Sequence, residues 1–269
     1  MPCVSCKERP VVNQLRGLCK ICLDPNLSML FNEDCVDAMR RLKSWGMRID
    51  LTVCDPPWGV NFQNSKAFND RFNVASQATE WLELVYDLHR DDTYIFLYVG
   101  SKTIHHWVNA MEASGFTYID TIATQTYTNG NYNKKGFDNS FQPIIYGVKG
   151  DKKPFNDVDF IPTSEVWMKD KRNTKKNPYT YNYPNFIGRS ICSANVKPNA
   201  QRKLLHPTEK NVDMLKFIIE LASKPDGVVL DFAMGSGSTC VAAKQCGRGY
   251  IGIELNSDYY ETAGERLEE

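Results

Sequence analysis

Asp55-Pro56-Pro57-Trp58 is the segment of this chain whose residue types and order could do the most specific chemistry. It follows Ile49-Asp50-Leu51-Thr52-Val53-Cys54, which reads as a buried strand, and two consecutive prolines must end any regular element there. The proline pair stiffens the turn and holds the Asp55 carboxylate and the Pro56 carbonyl in a fixed relation. An amine conjugated to a heteroaromatic ring is a poor nucleophile, because its lone pair is delocalised into the ring. Two acceptors facing its N–H bonds favour a pyramidal nitrogen and free that lone pair to attack an electrophile placed in line. Such catalysis is positioning plus electrostatics, with no covalent intermediate on the protein. Trp58 offers a flat face on which such a ring can stack. Most Asp-Pro-Pro triplets are ordinary surface turns; the apolar strand before this one and the aromatic after it weigh for the chemical reading.

A second candidate lies near the other end of the chain. Val228-Val229-Leu230-Asp231-Phe232-Ala233-Met234-Gly235-Ser236-Gly237-Ser238-Thr239 reads as a strand, a tight Gly-x-Gly turn and the start of a helix. Glycines in such a turn let the backbone approach a ligand at the carboxyl edge of a sheet. Glu254 ends the next strand, where a carboxylate can take ribose hydroxyls. A lone Gly-x-Gly is weak, and its bland alternative is a tight turn with no ligand; the paired acid favours a nucleoside-containing cofactor. A dinucleotide site would want a further glycine where Cys240 stands, and no Gly-Lys-Ser/Thr follows for a P-loop.

Two further clusters are chemically suggestive. Cys3-x-x-Cys6 and Cys19-x-x-Cys22, twelve residues apart, supply four thiolates suited to tetrahedral zinc, and a segment so short needs such a staple to fold. Redox thiols or chance are the alternatives. Between Lys149 and Leu205 the alternation of strands and helices stops. Lys169, Lys171, Arg172, Lys175, Lys176 and Arg189 are there interleaved with Trp167, Tyr179, Tyr181, Tyr183 and Phe186. Positive charge for phosphates with aromatic groups for bases is a nucleic-acid-binding composition, and a solvated basic loop is its plain counterpart.

The elements that must position these residues follow from periodicity. Helices are expected over Asp34 to Leu42, around Trp81 to Leu88, near Thr103 to Ala113, and over Val212 to Ala222, Thr239 to Cys246 and Asp258 to Leu267. Strands are expected at Ile49 to Cys54, Tyr94 to Val99, near Tyr118 to Ala123, at Pro143 to Val148, at Val228 to Phe232 and at Tyr250 to Glu254. Alternating strands and helices imply a mostly parallel sheet with helices on both faces. The 269 residues suit one large α/β domain with small additions, and net charge is zero. Nine cysteines, several of them within apolar segments, argue for reduced thiols rather than a secreted disulfide framework. No apolar run is long enough to span a bilayer, and the first residues lack the apolar segment of a signal peptide, so a cytosolic location is expected.

Taken together, the Asp-Pro-Pro-Trp turn and the glycine turn resemble the motifs of the DNA amino-methyltransferases. Those enzymes carry Asp/Asn/Ser-Pro-Pro-aromatic as the catalytic motif and a segment close to Asp-Pro-Phe-x-Gly-Ser-Gly-Thr-Thr for the cofactor. The order here, catalytic turn first, is similar to the permuted beta class. His206-Pro207-Thr208-Glu209-Lys210 resembles the His-Pro-Thr-Gln-Lys-Pro segment of that class, and Tyr250 to Glu254 and Glu265-Arg266-Leu267 also match. The likeness runs from about Leu27 to Leu267 and is weakest across the basic insert. Ala233, Phe232 and Asn211 depart from the usual phenylalanine, proline and proline, and none removes a required functional group.

The resemblance implies a Rossmann-like, S-adenosylmethionine-dependent methyltransferase fold. It implies catalytic roles for Asp55, Pro56, Pro57 and Trp58, with the target base flipped out of the duplex. Asp34, Thr208, Lys210, Asp231, Phe232, Gly235, Gly237 and Glu254 would hold the cofactor. Residues 1–26 would form a structural zinc module, 27–148 the catalytic half, 149–205 the target recognition region and 206–269 the cofactor half. Double-stranded DNA is the expected partner, in a prokaryotic or phage-infected cell, and a homodimer is compatible with these features. Asp55 favours adenine N6 over cytosine N4, since Ser-Pro-Pro is commoner for cytosine. The competing readings are an N4-cytosine enzyme, an enzyme acting on RNA or on a protein glutamine, and a methyltransferase fold that binds DNA without catalysis. Glutamine enzymes usually carry Asn-Pro-Pro-Tyr, and C5-cytosine chemistry would need a Pro-Cys nucleophile, found here only as Pro2-Cys3.

Overall fold

The computed structural model describes residues 27–58, 74–125, 141–153, 155–156, 186–187 and 209–269. In chain order the elements are β1 (Ser28–Asn32), α1 (Cys35–Ser44), β2 (Ile49–Cys54), α2 (Val74–Leu88), β3 (His89–Tyr98), α3 (Ile104–Ala113), β4 (Thr117–Gln125) and β5 (Phe141–Lys149). There follow β6 (Phe186–Ile187), α4 (Val212–Ala222), β7 (Val228–Asp231), α5 (Ser238–Gln245), β8 (Gly249–Glu254) and α6 (Ser257–Glu268). One eight-stranded sheet runs β1-β8-β7-β2-β3-β5-β4-β6. All neighbours are parallel except β5, which is antiparallel to both β3 and β4.

Strand alternation sorts the core into two layers. On one face Ile95, Leu97 and Val99 of the β3 region and Cys54 of β2 pack against Ala38, Met39 and Leu42 of α1, Leu82 and Val85 of α2, and Trp107 and Met111 of α3. On the other, Leu51, Val53, Tyr94, Phe96 and Tyr98 pack against Met214, Leu215 and Ile218 of α4 and Ala242 and Ala243 of α5. Each such fully buried aliphatic or aromatic side chain contributes roughly 1.5–3 kcal/mol relative to exposure. Side chains are buried on both faces of β2 and β7, as in central parallel strands, and in β2 this includes the polar Thr52, whose hydroxyl pairs with His89 Nε2 at 2.8 Å.

The helix starts are specified locally. Asp34 caps α1 by accepting from Val36 N at 2.8 Å, and Asn211 caps α4 by accepting from Asp213 N at 2.8 Å and Met214 N at 3.2 Å. Asn211 therefore has a purpose of its own where the family usually has proline. Asn256 does the same for α6. Among the described residues no helix is long and apolar enough to cross a membrane.

Candidate active site

β2 and β7 are adjacent parallel strands, with Leu51 opposite Val229 and Thr52 opposite Leu230. Their carboxyl ends therefore emerge side by side, about 5 Å apart. One leads into Asp55-Pro56-Pro57-Trp58 and the other into the glycine turn. Burial, and after it the charge of the neighbouring Asp231, push the Cys54 thiol up, so the two ends are also coupled electrostatically.

At the glycine corner, Gly235 (φ 52°) and Gly237 (φ 76°) adopt the left-handed conformation that glycine alone takes without strain. A Cβ on Gly237 would also lie 2.8 Å from Cβ of Ala263 on α6, so the turn is pressed against that helix. The Glu254 carboxylate accepts from Gly235 N at 2.9 Å and from Asn256 N at 2.8 Å. Burial raises its proton affinity, and these backbone donors lower it. Asp231 accepts from Ala233 N at 3.2 Å. Burial nevertheless pushes Asp231 up to about 6, the nearby Asp55 charge adding to the rise. Phe232 is buried against Trp81, at 6.1 Å between ring centroids, so its ring belongs to the core and only its backbone faces the turn.

The acidic corner is built from side chains. Trp58 Nε1–H donates to Asp55 Oδ1 at 3.0 Å, and Lys210 Nζ lies 2.5 Å from Asp55 Oδ2. The Lys210 ammonium also lies 5.2 Å from the centre of the Tyr98 ring and 5.9 Å from that of Trp58, within cation–π range. This ion pair is largely shut off from water, with 6% of the Lys210 side chain and 17% of the Asp55 side chain exposed. In such surroundings an ammonium offsets much of the cost of holding a carboxylate.

Two consecutive residues link the corners. Lys210 reaches Asp55, while Glu209 pairs with Arg266 Nη2 at 3.4 Å. Arg266 Nη1 in turn donates to the Ser236 carbonyl at 2.6 Å and to the hydroxyls of Ser236 and Ser238 at 3.1 and 3.2 Å. The segment before α4 thus clamps the glycine turn with one side chain and the acidic turn with the next. The sequence marked Lys210 as a cofactor contact; in this structure it is paired with Asp55. Glu209 and Arg266 stand in the segments that resemble the family, and their pairing depends on a contact between residues 57 positions apart.

Of the other expected site residues, Asp34 lies just beyond β1, whose Asn32 pairs with Glu254, so it shares the carboxyl edge, with Oδ1 engaged in the α1 cap. Thr208, the basic side chains Lys169, Lys171, Arg172, Lys175, Lys176 and Arg189, and the cysteines Cys3, Cys6, Cys19 and Cys22 lie outside the described residues. Among the described residues there is no cluster of metal-binding side chains.

The arrangement offers a carboxylate with an aromatic face beside it, next to a backbone cradle backed by an acid. The donor set suits a nucleoside cofactor: left-handed glycines leave bare backbone at the carboxyl edge of the sheet, and the Glu254 carboxylate stands behind it. Comparison with known proteins gives the same picture. The type II methyltransferase M.HpaI of Haemophilus parainfluenzae is 28% identical over 239 residues, covering 87% of this chain and 73% of that protein. The DNA adenine methyltransferase YhdJ of Escherichia coli (strain K12) is 29% identical over 245 residues, covering 86% and 81%. In fold, the chain is similar to the crystal structure of an M1.HpyAVI-SAM complex, with a TM-score of 0.64, 22% identity and coverage of 89% and 98%. The PvuII cytosine-N4-specific DNA methyltransferase is as close in shape, with a TM-score of 0.64 and 14% identity, covering 89% and 86%. The family described as DNA methylase, of the N6 and N4 type, matches residues 49–265. The chain belongs to this family of S-adenosylmethionine-dependent DNA methylases.

Proposed function

We propose that the protein transfers a methyl group from S-adenosylmethionine to the N6 amino group of adenine in double-stranded DNA. The observation that carries this reading is the adjacency of the two corners at the carboxyl ends of β2 and β7. Gly235, Gly237, Asp231, Glu254 and Asp34 would hold the cofactor, with Glu254 and Asp34 toward its nucleoside end. When bound, S-adenosylmethionine supplies an electrophilic methyl carbon on a sulfonium.

Asp55 and the Pro56 carbonyl accept the two N–H bonds of the target amine and free its lone pair. The base is extruded from the duplex and stacks on Trp58. That lone pair would take up the methyl group, the sulfonium sulfur of the cofactor serving as the leaving group that would keep the bonding electrons. The methylated nitrogen then sheds one proton, for which the Asp55 carboxylate is in place. Lys210 holds that carboxylate in its rotamer until the amine arrives and balances its charge throughout.

The finer features accompany this reading. The order of the corners suits the permuted beta class, residues 149–205 would read the target sequence, and Cys3, Cys6, Cys19 and Cys22 would bind a structural zinc. The enzyme would work in the bacterial cytoplasm, as a monomer or a homodimer. Incubation with tritiated S-adenosylmethionine and unmethylated duplex DNA, followed by nucleoside analysis, tests the central claim. N6-methyladenine is the expected product; N4-methylcytosine would move the target base, and no incorporation would leave a DNA-binding protein without catalysis. Metal analysis of a Cys19→Ala/Cys22→Ala variant tests the zinc module: one zinc per chain should be lost, and an unchanged metal content would end that idea.

A further inference from the structure

Gln142, the second residue of β5, is 3% exposed, and neither Nε2 nor Oε1 of its amide has a hydrogen-bond partner among the described residues. Folded proteins leave few buried amides in this state, because the lost contacts with water are not replaced. The Thr124 hydroxyl, opposite on the β4–β5 ladder, donates at 2.8 Å to the backbone carbonyl of Gln142 and not to its amide. The amide therefore stands as a donor and an acceptor held ready in a closed environment.

Its position follows from the register. Tyr98 is opposite Ile144, and Val99 N donates to the Pro143 carbonyl at 3.0 Å, so Gln142 comes level with Gly100. A Cβ on Gly100 would lie 3.3 Å from the Trp58 indole, which means the indole covers the strand position next to Gln142. Alternation along β5 places Gln142 with Ile144 and Val148, on the layer that also holds Tyr98, the aromatic neighbour of Lys210. The unpartnered amide thus sits one strand beyond Trp58, on the side away from the glycine corner. That is where the rest of a base would extend if its amine met Asp55.

We propose that Gln142 is a base-binding residue, its Nε2–H donating to a ring nitrogen of the amine base whose exocyclic nitrogen is held at Asp55. This rests on the methyl-transfer reading and deepens it. Adenine and cytosine both carry an acceptor ring nitrogen beside the exocyclic amine. Asp55 and the Pro56 carbonyl can only accept hydrogen bonds, so a base at that corner still needs a donor, and a neutral amide supplies one without a further charge beside the Asp55–Lys210 pair.

Gln142→Leu and Gln142→Glu test the idea, with tritium transfer to duplex DNA, cofactor binding by calorimetry and thermal unfolding measured on the same preparations. In Gln142→Leu, kcat/KM for DNA should fall roughly 10- to 100-fold while cofactor affinity stays within about twofold, as expected for one lost polar contact to substrate. Because an unpaired buried amide has been removed, Tm should hold or rise by about 2–4 °C. Gln142→Glu keeps the shape but puts an acceptor where a donor is needed, and it should lose at least as much transfer. Full transfer in both variants would overturn the proposal. So would a lowered Tm with parallel losses of cofactor and DNA binding, the pattern of a purely structural amide. An inactive wild type would instead sink the methyl-transfer reading, and this proposal with it.

Discussion

The two corners of the site are built by opposite means. The glycine corner is made of backbone: left-handed glycines, amides donating to Glu254, and a turn pressed onto α6 and tied by Arg266. The acidic corner is made of side chains, with Asp55 held between the Trp58 indole and the Lys210 ammonium. A backbone cradle has little to rearrange when it binds a ligand of constant shape. A side-chain corner can exchange one partner for another, which suits a substrate group that must enter, react and leave.

The largest break in this contrast should come from Asp55→Ala. Transfer should drop roughly 1,000-fold or more, because the group that orients the amine is gone. Cofactor affinity by calorimetry should change only a few-fold; a variant that turns over normally would remove Asp55 from the chemistry.

Next in size is a pH effect from the glycine corner. Asp231 has its folded value raised from 3.8 to about 6, so the folded state binds this proton more tightly than the unfolded chain does. Its contribution to stability is therefore greatest below about pH 4, declines as pH rises from about 4 to 6 and levels off above that, by a total on the order of 3 kcal/mol. Urea unfolding of Asp231→Asn across this range should lack that decline; an unchanged slope would mean Asp231 titrates normally.

Lys210→Met sharpens the comparison most directly. If Lys210 serves the acidic corner, kcat should fall roughly 10- to 100-fold with cofactor affinity nearly intact, and Lys210→Arg should restore part of it. The opposite outcome, weak cofactor binding with normal kcat, would assign it to the other corner. The smallest expected effect is that of Gly237→Ala, which forces a left-handed φ on alanine against Ala263 and should cost about 1–3 kcal/mol in thermal unfolding, with weaker cofactor binding.

The sequence carried a good share of this, and unevenly. β2, β7, β8 and five of the six helices of the described residues were legible within a few residues, since apolar periodicity and caps are local properties; α2 begins at Val74, seven residues before the expected Trp81, because its first turns lie in a polar stretch that reads as loop. β1 was missed, for five residues of mixed polarity give no period. The start of β3 was missed too, because His89-Arg90-Asp91-Asp92-Thr93 is polar despite lying in the sheet. That β5 runs antiparallel between β3 and β4 has no local signature, because strand direction is decided by the path of the chain. At the site, the glycines and Asp55 were readable because a motif reports what the backbone must do. The partners of Lys210 and Arg266 and the isolation of Gln142 were not, since each depends on contacts between residues far apart in the chain.

The place of β2 in the sheet has a consequence for biosynthesis. β2 is flanked by β3, which follows it closely, and by β7, which the ribosome makes some 170 residues later; β1 likewise awaits β8, Ser28 pairing with Tyr250. At roughly 5–20 residues per second, these edges stay open for many seconds of translation. A nascent chain therefore carries the Asp-Pro-Pro-Trp turn long before it carries the glycine turn beside it. The two corners come together only when β7 joins β2 in the sheet, a late event in the making of the chain.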